Sequence, residues 1–472
     1  MIDDNDEPLL DIQEIRLPEG FTSACDYVSA LVAFLRQYRW LSELHVVDFF
    51  THRHWDLLDP EWRESLLPES VVNDSDTYFD EWLDELLALC DFDCSVKSSW
   101  PESLQSYVRK AHELALPRYF TKEQAQITVD IKRFDNGLLC GMTGKKIHEV
   151  ELMSALIHRI ATQNKTSHVL DLGSGQGYLS RALAYHHQLH VLAVDMSDIQ
   201  TKGAMRLDKQ ALKRREDVES LATLNHVTET VTFENMTGIL DRWSNAPSTD
   251  WLICGLHACG DLSTFIMRLF ATNPRITSIV NVGCCYHYLT EDGDNPGFPL
   301  SDTVKSMEYS LGTTARVLAC HSPWQWKHQR KESIKSFEQH FYRALLQQMM
   351  VDKGLASATS APVLAHRINK KKDFVGYTQE ALKKFGVSPE ALPSEMTREY
   401  HTRYKAIGAD KRIAVLWALR ALLAPVLESL ILVDRWLYLK QATSNRPGAG
   451  VWMYPLFNPR NSPRNVVFVA KK

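Results

Sequence analysis

The chain has 472 residues, 44% apolar and 24% charged, with a formal net charge of −5. That length gives room for two or three domains around a large core, and the composition is that of a soluble globular protein. Nine cysteines, an odd number scattered through apolar runs, exclude a disulfide framework and point to thiols in a reducing compartment, cytoplasm or nucleus.

The opening, MIDDNDEPLLD, is acidic and lacks the basic stretch and apolar block of a signal peptide, so none is expected. From 21 to 120, apolar residues recur at three- and four-residue spacing in LVAFLRQYRWL, VDFFTHRHWDLL and DEWLDELLALC, which predicts helices. Trp40, Trp55, Trp62, Trp82 and Trp100 are expected to fill one core. Residues 1–120 hold 9 Lys and Arg against 25 Asp and Glu, a balance of −16. This acidic surface suits a protein partner.

From 168 onward, short β-branched runs alternate with helical stretches. VLDL precedes RALAYHH, and HVLAVD precedes DKQALKRREDVESLATL. VTFEN follows, then WLICGLH with DLSTFIMRLF, then ITSIVNVG. Uninterrupted apolar strands alternating with helices predict a parallel sheet covered on both faces. Residues 321–440 read as helical again, with a flexible patch at DKGLASATSAP. Residues 321–412 hold 17 basic and 9 acidic side chains, a balance of +8 that suits an acidic partner such as RNA. The run Ile413–Leu439 is apolar enough to resemble a membrane span. Arg420, Pro425, Glu428, Asp434 and Arg435 interrupt it, so a buried helix restarting after Pro425 is expected. The end, VWMYPLFNPRNSPRNVVFVAKK, reads as an antiparallel hairpin closing the sheet. The expected domains are a helical region 1–120, a nucleotide-binding core 121–320, a helical insert 321–445 and the closing hairpin 446–472.

The first strand of the core runs into HVLDLGSGQGYLS, His168–Ser180. A dinucleotide fingerprint G-x-G-x-x-G fails in both registers, because Tyr178 and Ser180 fall on the sixth position. What remains is D-x-G-x-G-x-G: Asp171, Gly173, Gly175 and Gly177. This pattern resembles the class I S-adenosylmethionine-dependent methyltransferases. Glycine at 173 and 175 lets the turn take positive φ and brings backbone close to a ligand. Asp171 is then tolerated near the cofactor's ammonium, directly or through water. Asp195 ends HVLAVD, 18 residues after Gly177, where a carboxylate accepts ribose hydroxyls. The resemblance also implies that Asn235 and Met236, after VTFEN, grip the adenine. It implies further that Lys146 or His148, in the preceding helix GMTGKKIHEVELM, meets the cofactor carboxylate or an acidic substrate.

Ligands in such sheets lie beyond the carboxyl ends of the strands. There the fourth strand supplies His257, Cys259 and Asp261, and the fifth supplies Cys284, Cys285, Tyr286 and His287. Three readings stay open. His257, Cys259, Cys285 and His287 form a possible tetrahedral metal set. Spacing by one residue suits zinc poorly and methyl transfer needs no metal, so no metal ligand is assigned. The second reading is catalytic, with His257 or His287 as base and Asp261 orienting it, in a set of His257, Asp261, Cys285 and His287. The third makes these side chains the floor of the pocket.

KKIHEV, LDLGSGQGYLS, GLHACGDLS, NVGCCYHYLT, LRALLAPVLESLILVDRWLYL and PLFNPRNSPRNVVFVAKK together resemble the methyltransferase-like protein 25 family over roughly residues 110–472. The resemblance implies a Rossmann-like class I methyltransferase fold, a parallel sheet closed by an antiparallel hairpin, with an N-terminal helical domain and a helical insert. One member of that family is named for a ribosomal RNA adenine dimethylase domain. Adenine dimethylases carry an Asn-Leu-Pro-Tyr-like clamp after the fourth strand, where this chain has GLHACG. The H-x-C-G and C-C-x-H pair is similar instead to a tRNA ribose 2′-O-methyltransferase family, which implies an RNA substrate, tRNA or rRNA. In that family adjacent histidines follow the cysteine pair, whereas Tyr286 intervenes here. Methylation of a protein of the translation apparatus and a non-catalytic cofactor-binding scaffold are the other two readings.

Overall fold

Seven strands form one sheet in the order β3-β2-β1-β4-β5-β7-β6. They are β1 His168–Leu172, β2 His190–Asp195, β3 Leu224–Thr228, β4 Trp251–Cys259, β5 Ile276–Cys284, β6 Gly450–Pro455 and β7 Val466–Lys471. The computed structural model describes residues 12–73, 77–119, 133–213, 222–244, 246, 248–358, 368 and 372–472. The acidic opening and parts of DKQALKRREDVESLATL and DKGLASATSAP lie outside the described residues.

β1 to β5 pair in parallel, and β7 inserts antiparallel between β5 and β6. β1 is buried at every position, and β4 and β5 over most of their length. Strands with both faces covered read as continuous apolar runs, which is why the sequence located them. The third strand lies elsewhere than expected. It is LNHVT, not VTFEN, and residues 231–235 run as coil and turn. β3 is an edge strand with only β2 beside it and is half-exposed, so it tolerates Asn225 and His226. Order reverses at β1, whose neighbours are β2 and β4, and this opens a crevice at the carboxyl ends of β1 and β4.

The helices flanking the sheet include α1 Gly144–Gln163, α2 Asp198–Leu212, α3 Asp261–Thr272 and α4 Leu423–Thr443. The Thr143 side chain caps α1 by accepting from the Lys146 N–H at 3.3 Å. The apolar face of α1 (Val150, Met153, Ile157 and Ile160) packs into a core shared with β1, β4, β5, β6 and β7.

By contacts the chain divides into two compact units. One comprises 1–32, 116–310 and 429–472 and contains the sheet; the other comprises 33–115 and 311–428. The acidic helices and the basic helical segment, expected as separate regions, thus fall within one unit. Residues 33–115 carry −10 and residues 311–428 carry +9, so that unit is nearly neutral at −1. Arg330 ties them together, reaching Asp80 at 2.5 Å and Asp84 at 2.7 Å. In this unit Trp62 and Trp82 are buried, their indole N–H groups donating to Ser103 Oγ and the Leu66 carbonyl. Trp40, Trp55 and Trp100 are half-buried. No disulfide links the nine cysteines.

The stretch Ala409–Thr443 is long and apolar enough to cross a membrane. Its most apolar window is 89% buried within the protein, the packing of a core helix. The helix breaks at Leu422, not after Pro425. Pro425 sits in the first turn of α4, where the N–H it lacks has no helical partner to lose.

Candidate functional site

Gly173, Gly175 and Gly177 all take positive φ, of 76°, 53° and 67°. A Cβ at Gly173 would meet Leu262 of α3 at 2.7 Å, and one at Gly177 would meet His226 at 2.8 Å. Those two glycines let the loop pack. Gly175 has nothing within 4 Å of where a Cβ would stand, so its backbone faces open space. Its N–H donates to Asp195 Oδ2 at 2.9 Å, while Ser197 N–H donates to Asp195 Oδ1 at 2.9 Å. Asp195, half-buried at the end of β2, is thereby fixed beside the loop with lone pairs to spare on both oxygens. Met196 and Ile199 follow it, 77% and 80% exposed, an unusual state for two large apolar side chains side by side.

Asp171 is buried beneath the loop and accepts from Ser180 Oγ at 2.5 Å. Burial lifts its carboxyl to about 6, against the lowering pull of Ser180 and His226. It braces the turn from below. Asn235 accepts from Thr232 N–H and donates to the Thr230 carbonyl, a local turn, and Met236 is fully buried. Asn235 ends, and Met236 follows, a stretch of coil and turn, 231–235, where a strand was expected.

The carboxyl end of β4 holds a second constellation. Between Leu256 and Ala258 the register with β5 slips, leaving His257 as the extra residue of a bulge with φ of +64°. Left-handed backbone is strained for any residue but glycine, and bulges of this kind re-aim side chains beside active sites. His257 Nε2 lies 3.0 Å from Glu149 Oε2, on α1. Glu149 is fully buried, pairs with Lys146 Nζ at 3.0 Å and accepts from Ser462 Oγ at 2.7 Å. Burial pushes its carboxyl up, but His257, Lys146 and Ser462 outweigh it and hold the group at about 2, an anion at neutral pH. His148 accepts the Asn458 N–H at 3.1 Å. The 456–465 turn of the closing hairpin therefore touches this cluster twice.

Lys146 meets Glu149 here, and Glu149, not Asp261, orients His257. Asp261 instead accepts from Thr290 N–H at 2.9 Å and Thr290 Oγ1 at 2.8 Å, anchoring the segment after the cysteine pair. Sequence reasoning missed the Glu149 role because its partner is more than a hundred residues away. His287 stands exposed, its ring packed on Tyr288. Cys285 takes a φ of +52° and brings its Sγ to 3.4 Å from Cys259 and 3.5 Å from Cys284. Cys259 is lowered to about 6, first by its hydrogen bond to Cys284, then by Cys285 and the charges of His257 and His287 working against burial.

The family described as "Methyltransferase domain" matches residues 145–292, from α1 past β5. With the strand order and the glycine loop, this defines a class I methyltransferase. Human probable methyltransferase-like protein 25 is 25% identical, over 94% of this chain and 96% of its own length. The mouse protein of the same name is 24% identical, over 95% and 96%. The chain is similar to both over nearly its whole length. No solved structure matches it.

The chemistry of the pocket fits the class's cofactor. Gly175 gives backbone access, Asp195 offers acceptors for two hydroxyls, and Met196 and Ile199 offer an apolar face to a base.

Proposed function

We propose that this chain transfers a methyl group from S-adenosylmethionine to RNA, tRNA or rRNA, at a ribose hydroxyl. The observation that carries this reading is the Glu149–His257 pair beside the glycine loop. A hydroxyl holds its proton far above neutrality, so its attack on a methyl group requires a positioned base.

Bound at the loop, the cofactor supplies a methyl group on a positively charged sulfur, open to in-line displacement. Asp195 would accept the ribose hydroxyls, and exposed Met196 would offer an apolar contact to the adenine. Nε2 of His257 lies 3.0 Å from Glu149 Oε2, so a ring proton held there would face the carboxylate and leave Nδ1 to accept one from the acceptor. The buried Glu149 anion then balances the imidazolium, and Lys146 and Ser462 fix its two oxygens. Orientation is the larger part of the task, since displacement at a sulfonium needs alignment more than covalent help.

Support for RNA also comes from the likeness of H-x-C-G and C-C-x-H to tRNA ribose methyltransferases. Charge supports it less than the sequence implied, because the helical unit nets close to zero. Lys327, Lys331 and Lys335 remain exposed on it.

The test is transfer of label from the cofactor to cell extract, followed by partition with nuclease and protease. Label released by nuclease is expected. Label released only by protease would make the substrate a protein, and saturable cofactor binding with no label in either fraction would make the chain a scaffold. Asp195→Ala is expected to weaken cofactor binding at least tenfold by calorimetry; unchanged affinity would remove the loop assignment.

A further inference from the structure

The three thiols at the ends of β4 and β5 are unexplained by methyl transfer. Cys259 and Cys284 are register partners on neighbouring strands, and the left-handed turn at Cys285 brings the third sulfur back to them. The Sγ atoms stand 3.3, 3.4 and 3.5 Å apart, a nearly equilateral triangle. A tetrahedral zinc ion with Zn–S bonds of about 2.3 Å has sulfur edges of about 3.8 Å, so the triangle is close to one face of that tetrahedron. Among the described residues, no other donor set of His, Cys, Asp or Glu closes so tightly.

A second observation is independent of the sulfurs. Arg435, on α4, is fully buried, and none of its Nε, Nη1 or Nη2 atoms has a hydrogen-bond partner. Its guanidinium lies against Gly283, the residue before Cys284, where any side chain would collide with Nη1. The neighbouring Asp434 does not serve it by hydrogen bonding, because its oxygens take Leu300 N–H, Ser301 N–H and Ser301 Oγ. The Tyr286 ring face, 5.5 Å from Cζ, and the charge of Asp434 offset the cation in part, and a buried guanidinium without hydrogen bonds still calls for more negative charge nearby.

We propose that Cys259, Cys284 and Cys285 bind one zinc ion, with Arg435 beneath them as counter-charge. All three sulfurs bind as thiolates, any remaining thiol protons passing to solvent, and three thiolates around a divalent ion leave a net charge of −1 to set against Arg435. Three soft sulfur donors select zinc over magnesium, calcium or manganese. Cys259 is the exposed member of the three, so a fourth position would be reached by solvent from its side. A three-ligand site with an open position is the pattern of zinc centres that bind a reactant. The assignment rests on the thiols and Arg435 alone, so it stands or falls apart from the RNA reading.

Full-length protein, purified reduced and without chelator, is expected to contain one zinc per chain by plasma mass spectrometry. Cys259→Ser, Cys284→Ser and Cys285→Ser should each lower that content at least tenfold, while Cys94→Ser and Cys320→Ser leave it unchanged. Because Cys284 is buried, a readout on the wild-type chain is needed as well. Chelator-stripped protein titrated with cobalt(II) should develop thiolate-to-metal charge-transfer bands that saturate at one equivalent. Folded, reduced protein that is zinc-free and gives no such bands overturns the proposal. Zinc retained in the triple serine variant also overturns it.

Discussion

Glu149 and Asp171 are both buried carboxylates, and their surroundings move them in opposite directions. Glu149 is held at about 2, so it favours the fold above its ordinary value near 4.5 and loses that contribution as pH falls towards 2. The contribution is on the order of 3 kcal/mol. Glu149→Gln should remove this acid limb in thermal unfolding followed against pH. The same variant should lower methyl transfer about 100-fold while cofactor affinity by calorimetry stays within about threefold, because the residue acts through His257. Asp171 is raised to about 6, so it is protonated more easily folded than unfolded. It favours the fold below about pH 4 and costs stability as pH rises through 6. Asp171→Asn keeps an acceptor for Ser180 and should raise the melting temperature at pH 7, flattening the decline between pH 4 and 6. Asp434, also raised to about 6, keeps its own share of that decline. The glycines and Asp195 were legible because their chemistry is local: four glycine-loop positions and one strand end. The Glu149–His257 pair was not, since nothing in KKIHEV announces a partner on the far side of a strand.

At the level of elements, the bulge in β4 is what turns a strand end into a site. Left-handed backbone at His257 costs an ordinary residue strain that glycine does not suffer. His257→Gly relieves that strain but leaves the buried Glu149 anion to Lys146 and Ser462 alone, so it is expected to melt below the wild type, to lose methyl transfer, and to regain part of it with added imidazole. A folded variant as inactive but not rescued would deny the ring a role in proton transfer. Strands β1, β2, β4 and β5 were readable as apolar runs because both faces are covered. β3 was not, because an edge strand exposes half its side chains and its composition becomes that of a loop. The apolar helix was readable as core from its charges, but its break fell three residues before the proline. Proline tolerates a first turn, so the residue marks a helix start as readily as a stop.

For the whole molecule, the order of segments along the chain hid which of them share a core. Local periodicity finds helices but carries no record of which segments pack together, so 33–115 and 311–428 read as two regions of opposite charge. The unit bearing the sheet is likewise assembled from three stretches. A fragment limited to 145–292 would keep β1 to β5 but lack β6, β7 and the Ser462 contact to Glu149. It is expected to be insoluble or to bind the cofactor at least tenfold more weakly, measured by calorimetry against the full chain. A soluble fragment with full affinity would show that the hairpin is dispensable to the loop.

The place of β7 has a consequence for how the protein is made. About 180 residues separate the end of β5 from the start of β7, which is roughly 10–35 s of ribosomal synthesis. Throughout that interval β5 presents a row of unpaired backbone donors and acceptors, a template for any passing strand. The nascent chain has to shelter that edge, by a chaperone or by delayed collapse, until the last strand of the sheet leaves the tunnel and closes it.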